Sequence, residues 1–178
     1  MVLKDVNIVT IEKAMTSARK RQGLTQEDVS RDVNYTRSAI TKYETGARAI
    51  PREMYAPVSH SIDDPEFYFN IWRETTGQVS IPFFDGEQID HHPAAMFFLV
   101  KQETSEAVEN LETVCWAKPM QSYTDEDREV LKQTIIEVLD ASASMMNMVA
   151  SICDVHGFSM KSLFGKWQLS LKARQFKK

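Results

Sequence analysis

Apolar residues recur at intervals of three and four positions along most of the chain, which is the spacing of one face of an α-helix. Runs in which β-branched residues alternate with polar ones are rare, so the sequence offers little support for strands. The pattern therefore predicts an all-α protein. Its C-terminal part is expected to hold two long helices, 93–115 and 125–156, and a last helix over 159–174, within a helical bundle.

Three short helices are predicted in the first part of the chain, over residues 10–22, 26–33 and 37–45. The second begins after Thr25, whose hydroxyl can cap the helix, and Asp28 three positions later completes a variant of the capping box. It ends before Asn34, the residue type other than glycine that best tolerates a positive φ. The second and third helices are therefore expected to be joined by a three-residue turn.

The region after the third helix is expected to be less regular, because Pro57 would interrupt any helix there. An Asp-Asp-Pro sequence at residues 63–65 is a helix start, and the helix that it begins runs to about residue 76. We place a domain boundary near residue 62. The chain is thereby divided into domains of residues 1–62 and 63–178.

The long predicted helix 125–156 has two stripes of opposite character. The apolar stripe consists of Leu131, Ile135, Val138, Met145, Val149 and Ile152. The polar stripe consists of Gln133, Glu137, Asp140, Ser144, Asn147 and Ser151. Because an amphipathic helix normally buries its apolar face, we expect the first stripe to lie in the core and the second to be solvated or functional.

Charge is distributed unevenly along the 178 residues, although the whole chain carries only −4. Residues 1–60 contain 10 Lys and Arg against 7 Asp and Glu, whereas residues 61–178 contain 11 against 18. A basic first part and an acidic second part indicate an anionic partner for the first part only.

The segment from Leu24 to Gly46 reads LTQEDVSRDVNYTRSAITKYETG and resembles the helix-turn-helix of the phage-repressor and Cro family, over roughly residues 10–60. Such a motif needs a small residue where its helices touch, here Ser30, and a turn residue with positive φ, here Asn34. It also needs apolar side chains that pack between the helices, and we assign this role to Val29, Val33, Tyr35 and Ile40. With those side chains inside, Arg37, Ser38, Thr41 and Lys42 remain on the open side of the third helix.

The resemblance implies a double-stranded DNA partner and a role for individual residues. Gln26 matches a glutamine that touches the DNA backbone, and Arg48 is expected to meet phosphate. Arg19 and Glu44 match a pair that joins the first helix to the third, and we assign them to structure. The positions that read or flank the major groove are matched by Thr36, Arg37, Ser38 and Lys42, with Thr41 beside them.

Three features depart from the family pattern. Asn34 stands where glycine is usual, and Tyr35 stands where a smaller aliphatic residue is usual. Pro57 lies where the family has a fourth helix. These departures affect the end of the motif's domain more than the motif itself.

The sequence therefore indicates a DNA-binding transcriptional regulator, a repressor, and not an enzyme. One helix-turn-helix reads only a few base pairs, so we expect a homodimer formed through the C-terminal domain. That domain is also the expected site for a protein or small-molecule effector. An antitoxin of a toxin-antitoxin pair is the alternative, because the same DNA-binding module can be joined to a toxin-masking surface.

A less favoured hypothesis begins from the carboxylates of the two long helices. Glu106 with Glu109 or Glu112, and Glu137 with Asp140, loosely resemble the ExxE and ExxD pairs of magnesium-dependent all-α nucleotide pyrophosphatases. The pattern is short and lies in a region rich in acidic residues. We therefore expect no metal and no cofactor.

The remaining signals concern location and redox chemistry. Cys115 and Cys153 lack the spacing of a disulfide framework or a zinc site, and both are expected to be buried. No apolar run approaches the ~20 residues of a membrane span, and the first residues lack a signal-peptide pattern. The sequence thus predicts a cytoplasmic protein without a membrane partner.

Overall fold

A computed structural model describes residues 9–178, and these contain eight α-helices, two short 3-10 helices and no strand. The prediction of an all-α protein is confirmed. The 3-10 helices are Arg52–Met54 and Met120–Ser122. The α-helices are α1 Ile11–Arg21, α2 Gln26–Asp32, α3 Arg37–Glu44, α4 Tyr55–Ile62, α5 Pro65–Thr76, α6 Pro93–Thr113, α7 Asp125–His156 and α8 Met160–Ala173.

Most helix ends lie where the local sequence places them, because capping depends on neighbouring residues. The Thr25 hydroxyl accepts a hydrogen bond from the Asp28 N–H at 3.1 Å, and the Asp28 carboxylate accepts one from the Thr25 N–H at 2.9 Å. The same reciprocal pair joins Thr124 and Asp127 before α7. At the start of α5, the Asp64 carboxylate accepts from the backbone N–H of Phe67 at 2.9 Å.

The chain forms two compact units, and their division differs from the predicted boundary near residue 62. One unit extends to Ser80 and also takes up Gly157–Lys178, and the other is Ile81–His156. Helix α5 belongs to the first unit because it packs on α1, and Phe67 is fully buried in the core that surrounds Met15. The division into a DNA-binding and a dimerisation domain stays a prediction about function.

The core of the first unit is built by α1–α5. Its fully buried side chains come from each of these helices, so the first three are held by the fourth and fifth. A bidentate ion pair adds to this packing: Arg21 donates from Nε and Nη2 to the buried Asp64 carboxylate at 2.9 and 2.7 Å. This ion pair therefore joins the N-terminus of α5, which Asp64 caps, to α1.

The expectation that Pro57 would prevent a fourth helix is wrong. Pro57 is the third residue of α4, and the N–H groups of the first turn have no partner within the helix. A proline there removes no helical hydrogen bond. Helix α4 therefore forms, and it buries Val58 and Ile62 in the core of the first unit.

The second unit is a hairpin of α6 and α7 with the loop 81–92 packed on α7. Asn147 is fully buried and joins the loop to the helix. Its Oδ1 accepts from the Phe84 N–H at 2.9 Å, and its Nδ2 donates to the Pro82 carbonyl at 3.0 Å. Farther along α7, the Ser151 hydroxyl donates to the His91 carbonyl.

The two stripes of α7 depart in part from expectation, and this is the main correction to the sequence-based fold. Gln133 and Asp140 of the polar stripe are exposed as expected. Ser144, Asn147 and Ser151 of the polar stripe are buried, whereas Ile135 and Met145 of the apolar stripe are exposed. The buried side also carries Ala141, Ala143 and Ala150, and small side chains let α6 and the loop approach closely. Buried hydroxyls are satisfied locally, as where Ser144 donates to the Ala141 carbonyl at 2.8 Å.

Helix α7 also bears on the expectation that no segment has the character of a membrane span. Within residues 9–178 it is the one helix long and apolar enough to cross a membrane by length and composition. A third of its most apolar window is buried inside the fold. The core helices of soluble proteins have the same length and composition.

Candidate nucleic-acid interface

Helices α2 and α3 meet at a tight corner that fixes the direction of α3. Ser30 is buried at the contact, and Val29 and Ile40 pack beside it without solvent exposure. Asn34 takes the left-handed conformation, with φ of 55°. The following N–H, of Tyr35, donates to the Ser30 carbonyl at 2.9 Å. The predicted turn at Asn34 is present, but it spans four residues, 33–36, rather than three, because α2 ends one residue earlier than expected.

A buried ion pair ties α1 to α3, as the structural assignment of Arg19 and Glu44 predicts. Arg19 donates from Nε and Nη2 to the two Glu44 carboxylate oxygens at 2.5 and 2.9 Å, and from Nη1 to the Leu24 carbonyl at 2.8 Å. The side chains are only 12% and 4% exposed. The hydrogen bonds that Arg19 donates to the Glu44 carboxylate raise the pKa of its guanidinium above its usual value.

Gln26 extends this network to α2. Its Nε2 donates to the Glu44 carboxylate at 2.8 Å, and its Oε1 accepts from the Thr41 hydroxyl at 2.9 Å. One N–H of the Gln26 amide is thus committed to the protein, and the second is left for a phosphate. Thr41 is only half-buried and lies between this network and the open side of α3.

The predicted reading residues lie on the solvent side of α3. Thr36, Arg37, Ser38 and Lys42 are all exposed, and the Thr36 hydroxyl caps the helix by accepting from the Ala39 N–H at 3.2 Å. The Arg37 guanidinium makes no hydrogen bond or ion pair with residues 9–178. Hydrogen-bond donors therefore line the solvent-exposed face of α3, and the opposite face of the helix packs on the core.

Arg48 lies just after α3 and is exposed, as a phosphate contact requires. Its guanidinium carbon is 5.8 Å from the centroid of the Tyr43 ring, and its backbone N–H donates to the Lys42 carbonyl at 3.1 Å. The aromatic ring limits the directions that this long side chain samples. Arg48 is thus held close to the end of the reading helix.

Tyr35 is placed differently from its predicted interior position. It is 40% exposed, and its ring lies 6.3 Å from the buried ring of Tyr43. An apolar contact was predicted because Tyr35 is aromatic, although a tyrosine hydroxyl directly before the Thr36 cap is a signal for a surface position. Tyr35 joins the candidate interface as a residue that sequence reasoning missed.

Charge separates along the two compact units more sharply than along the two halves of the sequence. Residues 1–80 and 157–178 together contain 17 Lys and Arg against 11 Asp and Glu, a net charge of +6. Residues 81–156 contain 4 against 14, a net charge of −10. The unit that holds α3 is therefore the one suited to a polyanion.

The carboxylates that loosely resemble a magnesium site lie on α6 and α7. Within residues 9–178, no group of three or more His, Cys, Asp or Glu is placed to hold a metal ion, so the sets drawn from Glu106, Glu109, Glu112, Glu137 and Asp140 are not assembled. Glu103, which the sequence analysis did not name, has its pKa raised by burial and then by Glu106, Asp140 and Glu137. That the chain is not an enzyme stays a prediction.

The cysteines differ from each other. Cys153 is buried as expected, but Cys115 is exposed, because it follows the end of α6 in the connection to α7. Neither forms a disulfide. The expectation of two buried cysteines is therefore wrong for Cys115.

Comparison with known families places the corner of α2 and α3 in a defined class. Residues 16–55 match the model of the helix-turn-helix family, and this match identifies an XRE-type regulator module. No curated protein and no solved structure matches the chain. The match covers 40 of the 178 residues, so it places a helix-turn-helix of the XRE type at the N-terminal part of the chain and supports a DNA-binding regulator.

Proposed function

We propose that the protein is a sequence-specific transcriptional repressor that acts in the cytoplasm as a homodimer on operator DNA. Helix α3 enters the major groove with its N-terminal turn leading. Arg37, Ser38 and Lys42 meet base edges, and Gln26 and Arg48 meet phosphates on either side. Thr36, Thr41 and Tyr35 border the same surface.

The proposal rests on the position and exposure of Arg37. It is the first residue of α3, it is exposed, and its guanidinium is unpaired within the described residues. The opposite face of α3 is fixed by the buried Ile40 and by the Arg19–Glu44 pair. An unpaired guanidinium at the start of a helix whose backbone is held in place is suited to pair with both acceptors of a guanine.

The negative charge of the second unit supports its proposed role in dimerisation and effector binding. At −10 it repels duplex DNA, so it is left for contacts with protein or with a small ligand. A two-fold dimer places two recognition helices one helical turn of DNA apart, and each then reads one half-site.

In vitro selection of bound duplexes from a random pool tests the proposal, followed by titration of the selected site against random duplex. Arg37→Ala is expected to weaken binding to the selected site by roughly tenfold to a hundredfold per half-site. Its loss on random duplex is expected to be small, because only one positive charge per copy is removed. Arg73→Ala, which removes the same charge from α5, is the matched control and is expected to bind the site normally.

Two results would contradict the proposal. If the selection yields no enriched sequence, the protein does not recognise a specific site. If Arg37→Ala lowers the affinity for both duplexes equally, Arg37 does not read bases. The direction of regulation is measured separately, by placing the selected site within a promoter that drives a reporter. Expression that rises with the protein would replace repression by activation.

A further inference from the structure

The exposed face of α7 carries a regular apolar repeat that the monomer does not use. Positions separated by four, three, four, three, four and three residues lie on one side of the helix. Six of these seven positions are apolar, and the central one is a serine. They are Leu131, Ile135, Val138, Ser142, Met145, Val149 and Ile152, and we call this set the α7 seam.

Four of the seven positions of the α7 seam are exposed, Leu131, Ser142 and Ile152 are partly buried, and the other side of the helix is already occupied. Ile135 is 59% exposed, and Val138, Met145 and Val149 are exposed as well. Opposite them, α7 packs on α6 and the loop 81–92 through its small and polar residues. A spacing that alternates between three and four is the pattern with which one helix packs along another.

We propose that the α7 seam pairs with the α7 seam of a second copy of this chain, and that this contact is the dimer interface of the regulator. The inference rests on the proposed function, since a two-fold pair of recognition helices is what operator binding requires. It goes further by naming the surface. Each copy then contributes a two-helix hairpin to a four-helix assembly whose centre is the pair of α7 helices.

The chemistry of the seam favours a second copy over another partner. A two-fold interface places the same patch on both sides, so a charge on it would meet its own like charge. None of the seven seam positions carries a charge, although the unit around them is strongly acidic.

The extent of the seam fits a weak dimer. Its seven positions span about 32 Å of helix. The exposed parts of Ile135, Val138, Met145, Val149 and neighbouring Leu139 amount to roughly 350 Å² per copy, taking roughly 150 Å² for a fully exposed aliphatic residue. Pairing two copies covers about 700 Å² of this surface, which is below the roughly 1,000 Å² of a stable specific interface and in the range of a weak, transient one. We therefore expect a dimer that dissociates at micromolar or higher concentration.

Sedimentation equilibrium of the full chain without DNA tests the proposal. The natural chain is expected to shift from monomer to dimer between about 1 and 100 µM. Ile135→Glu places two carboxylates in the paired seam and is expected to raise the dissociation constant at least about a hundredfold. Ile136→Glu is the matched control, because Ile136 is similarly exposed but lies outside the seam, and it is expected to dimerise as the natural chain does.

Ser142→Cys in a Cys115→Ser background gives a second, independent measurement. Ser142 is the central seam position, so two copies paired along the seam bring the new thiols together, and mild oxidation is expected to yield a covalent dimer. The Cys115→Ser chain alone is expected to stay uncrosslinked, because Cys153 is buried. Circular dichroism of every variant checks that the helices remain.

The outcomes separate this proposal from the proposed function. A chain that stays monomeric at 100 µM, equal losses for Ile135→Glu and Ile136→Glu, or flotation of the chain with phospholipid vesicles would overturn the seam as a dimer interface. Arg37→Ala is expected to lose operator binding and keep the dimer mass. A normal dimer without any DNA selectivity would therefore refute the regulator and leave the seam intact.

Discussion

The Arg19–Glu44 pair gives the sharpest test of how the reading helix is held. Glu44→Ala removes a carboxylate that accepts from Arg19 Nε, Arg19 Nη2 and Gln26 Nε2, at 2.5, 2.9 and 2.8 Å. The guanidinium left behind is only 12% exposed and keeps one hydrogen bond, to the Leu24 carbonyl. Because the variant strands a buried charge, we expect a loss of about 3–5 kcal/mol in the free energy of unfolding.

The size of this loss in the free energy of unfolding distinguishes two causes. A buried guanidinium without its ion-pair partner costs more than the mere absence of the ion pair. If the stability lies near the lower end of the typical range of roughly 5–15 kcal/mol, this loss would unfold the first unit in an appreciable fraction of molecules. Arg19→Met with Glu44→Leu removes both charges and keeps apolar bulk, so the double variant is expected to lose about 1 kcal/mol or less. The double variant is then more stable than Glu44→Ala alone.

Hydrogen exchange at the Ile40 and Tyr43 amides measures the effect where it acts, since both lie in α3 and their side chains are fully buried. Amides of α6 and α7 serve as the internal control, because they belong to the other compact unit. Glu44→Ala is expected to speed exchange in α3 and leave the α7 amides unchanged. A double variant as unstable as Glu44→Ala would refute the reasoning, because the cost would then arise from packing and not from charge.

Three further predictions follow from single groups. Tyr43→Phe removes a buried hydroxyl without a hydrogen-bond partner among residues 9–178, so thermal unfolding is expected to show equal or up to about 1 kcal/mol higher stability; a larger loss would mean that the hydroxyl has a partner. The hydrogen bond from Lys118 lowers the pKa of Asp127 to about 2, so this carboxylate stabilises the fold above its ordinary value of 3.8 and stops doing so as the pH falls toward 2. Asp127→Asn is thus expected to be less stable at neutral pH and to show a weaker loss in acid titration by circular dichroism, and parallel curves would contradict this. Burial and nearby carboxylates raise the pKa of Glu103, so its charge costs stability as the pH rises through that pKa; Glu103→Gln is expected to raise the urea midpoint at pH 7 but not below pH 4.5, and a gain at both would point to packing instead.

Local signals explain how much of the fold the sequence predicts. The Thr25–Asp28 and Thr124–Asp127 caps, the left-handed Asn34 and the α5 start at Asp64 each depend on residues within three positions. Capping and turn chemistry act over that range, so the helices and the helix-turn-helix corner can be placed from the sequence. Pro57 was misjudged because its effect depends on its position within the helix.

The errors at the site concern contacts between residues far apart in the chain. Gln26 reaches Glu44 and Thr41 across 18 and 15 positions, and no local pattern shows that its amide is engaged there. Tyr35 is exposed because the turn at Asn34 directs the chain outward before the Thr36 cap. The outward row from Arg37 to Lys42 could be predicted, since it follows from helical spacing once Ile40 is assigned to the core.

The partly reversed stripes of α7 show why hydrophobicity alone does not identify a core face. Small residues allow two helices to approach closely, and buried hydroxyls such as those of Thr134 and Ser144 bond to their own helix at 2.8 Å. A face of alanine and serine can therefore be interior in the monomer, while Ile135 and Met145 stay outside. An apolar stripe left outside a soluble hairpin is the pattern expected of a surface that is covered in an assembly.

If the α7 seam pairs two copies as proposed, its small extent has a consequence for regulation. A dimer that dissociates at micromolar concentration is mostly monomeric when the protein is scarce, and a monomer offers one recognition helix and binds one half-site weakly. Two half-sites on one DNA molecule raise the effective concentration of the second copy, so DNA binding and seam pairing favour each other. Occupancy of a two-half-site operator is then expected to rise with about the second power of protein concentration. Ile135→Glu should reduce that dependence toward the first power while binding to a single half-site stays unchanged, and a first-power dependence in the natural chain would contradict the coupling.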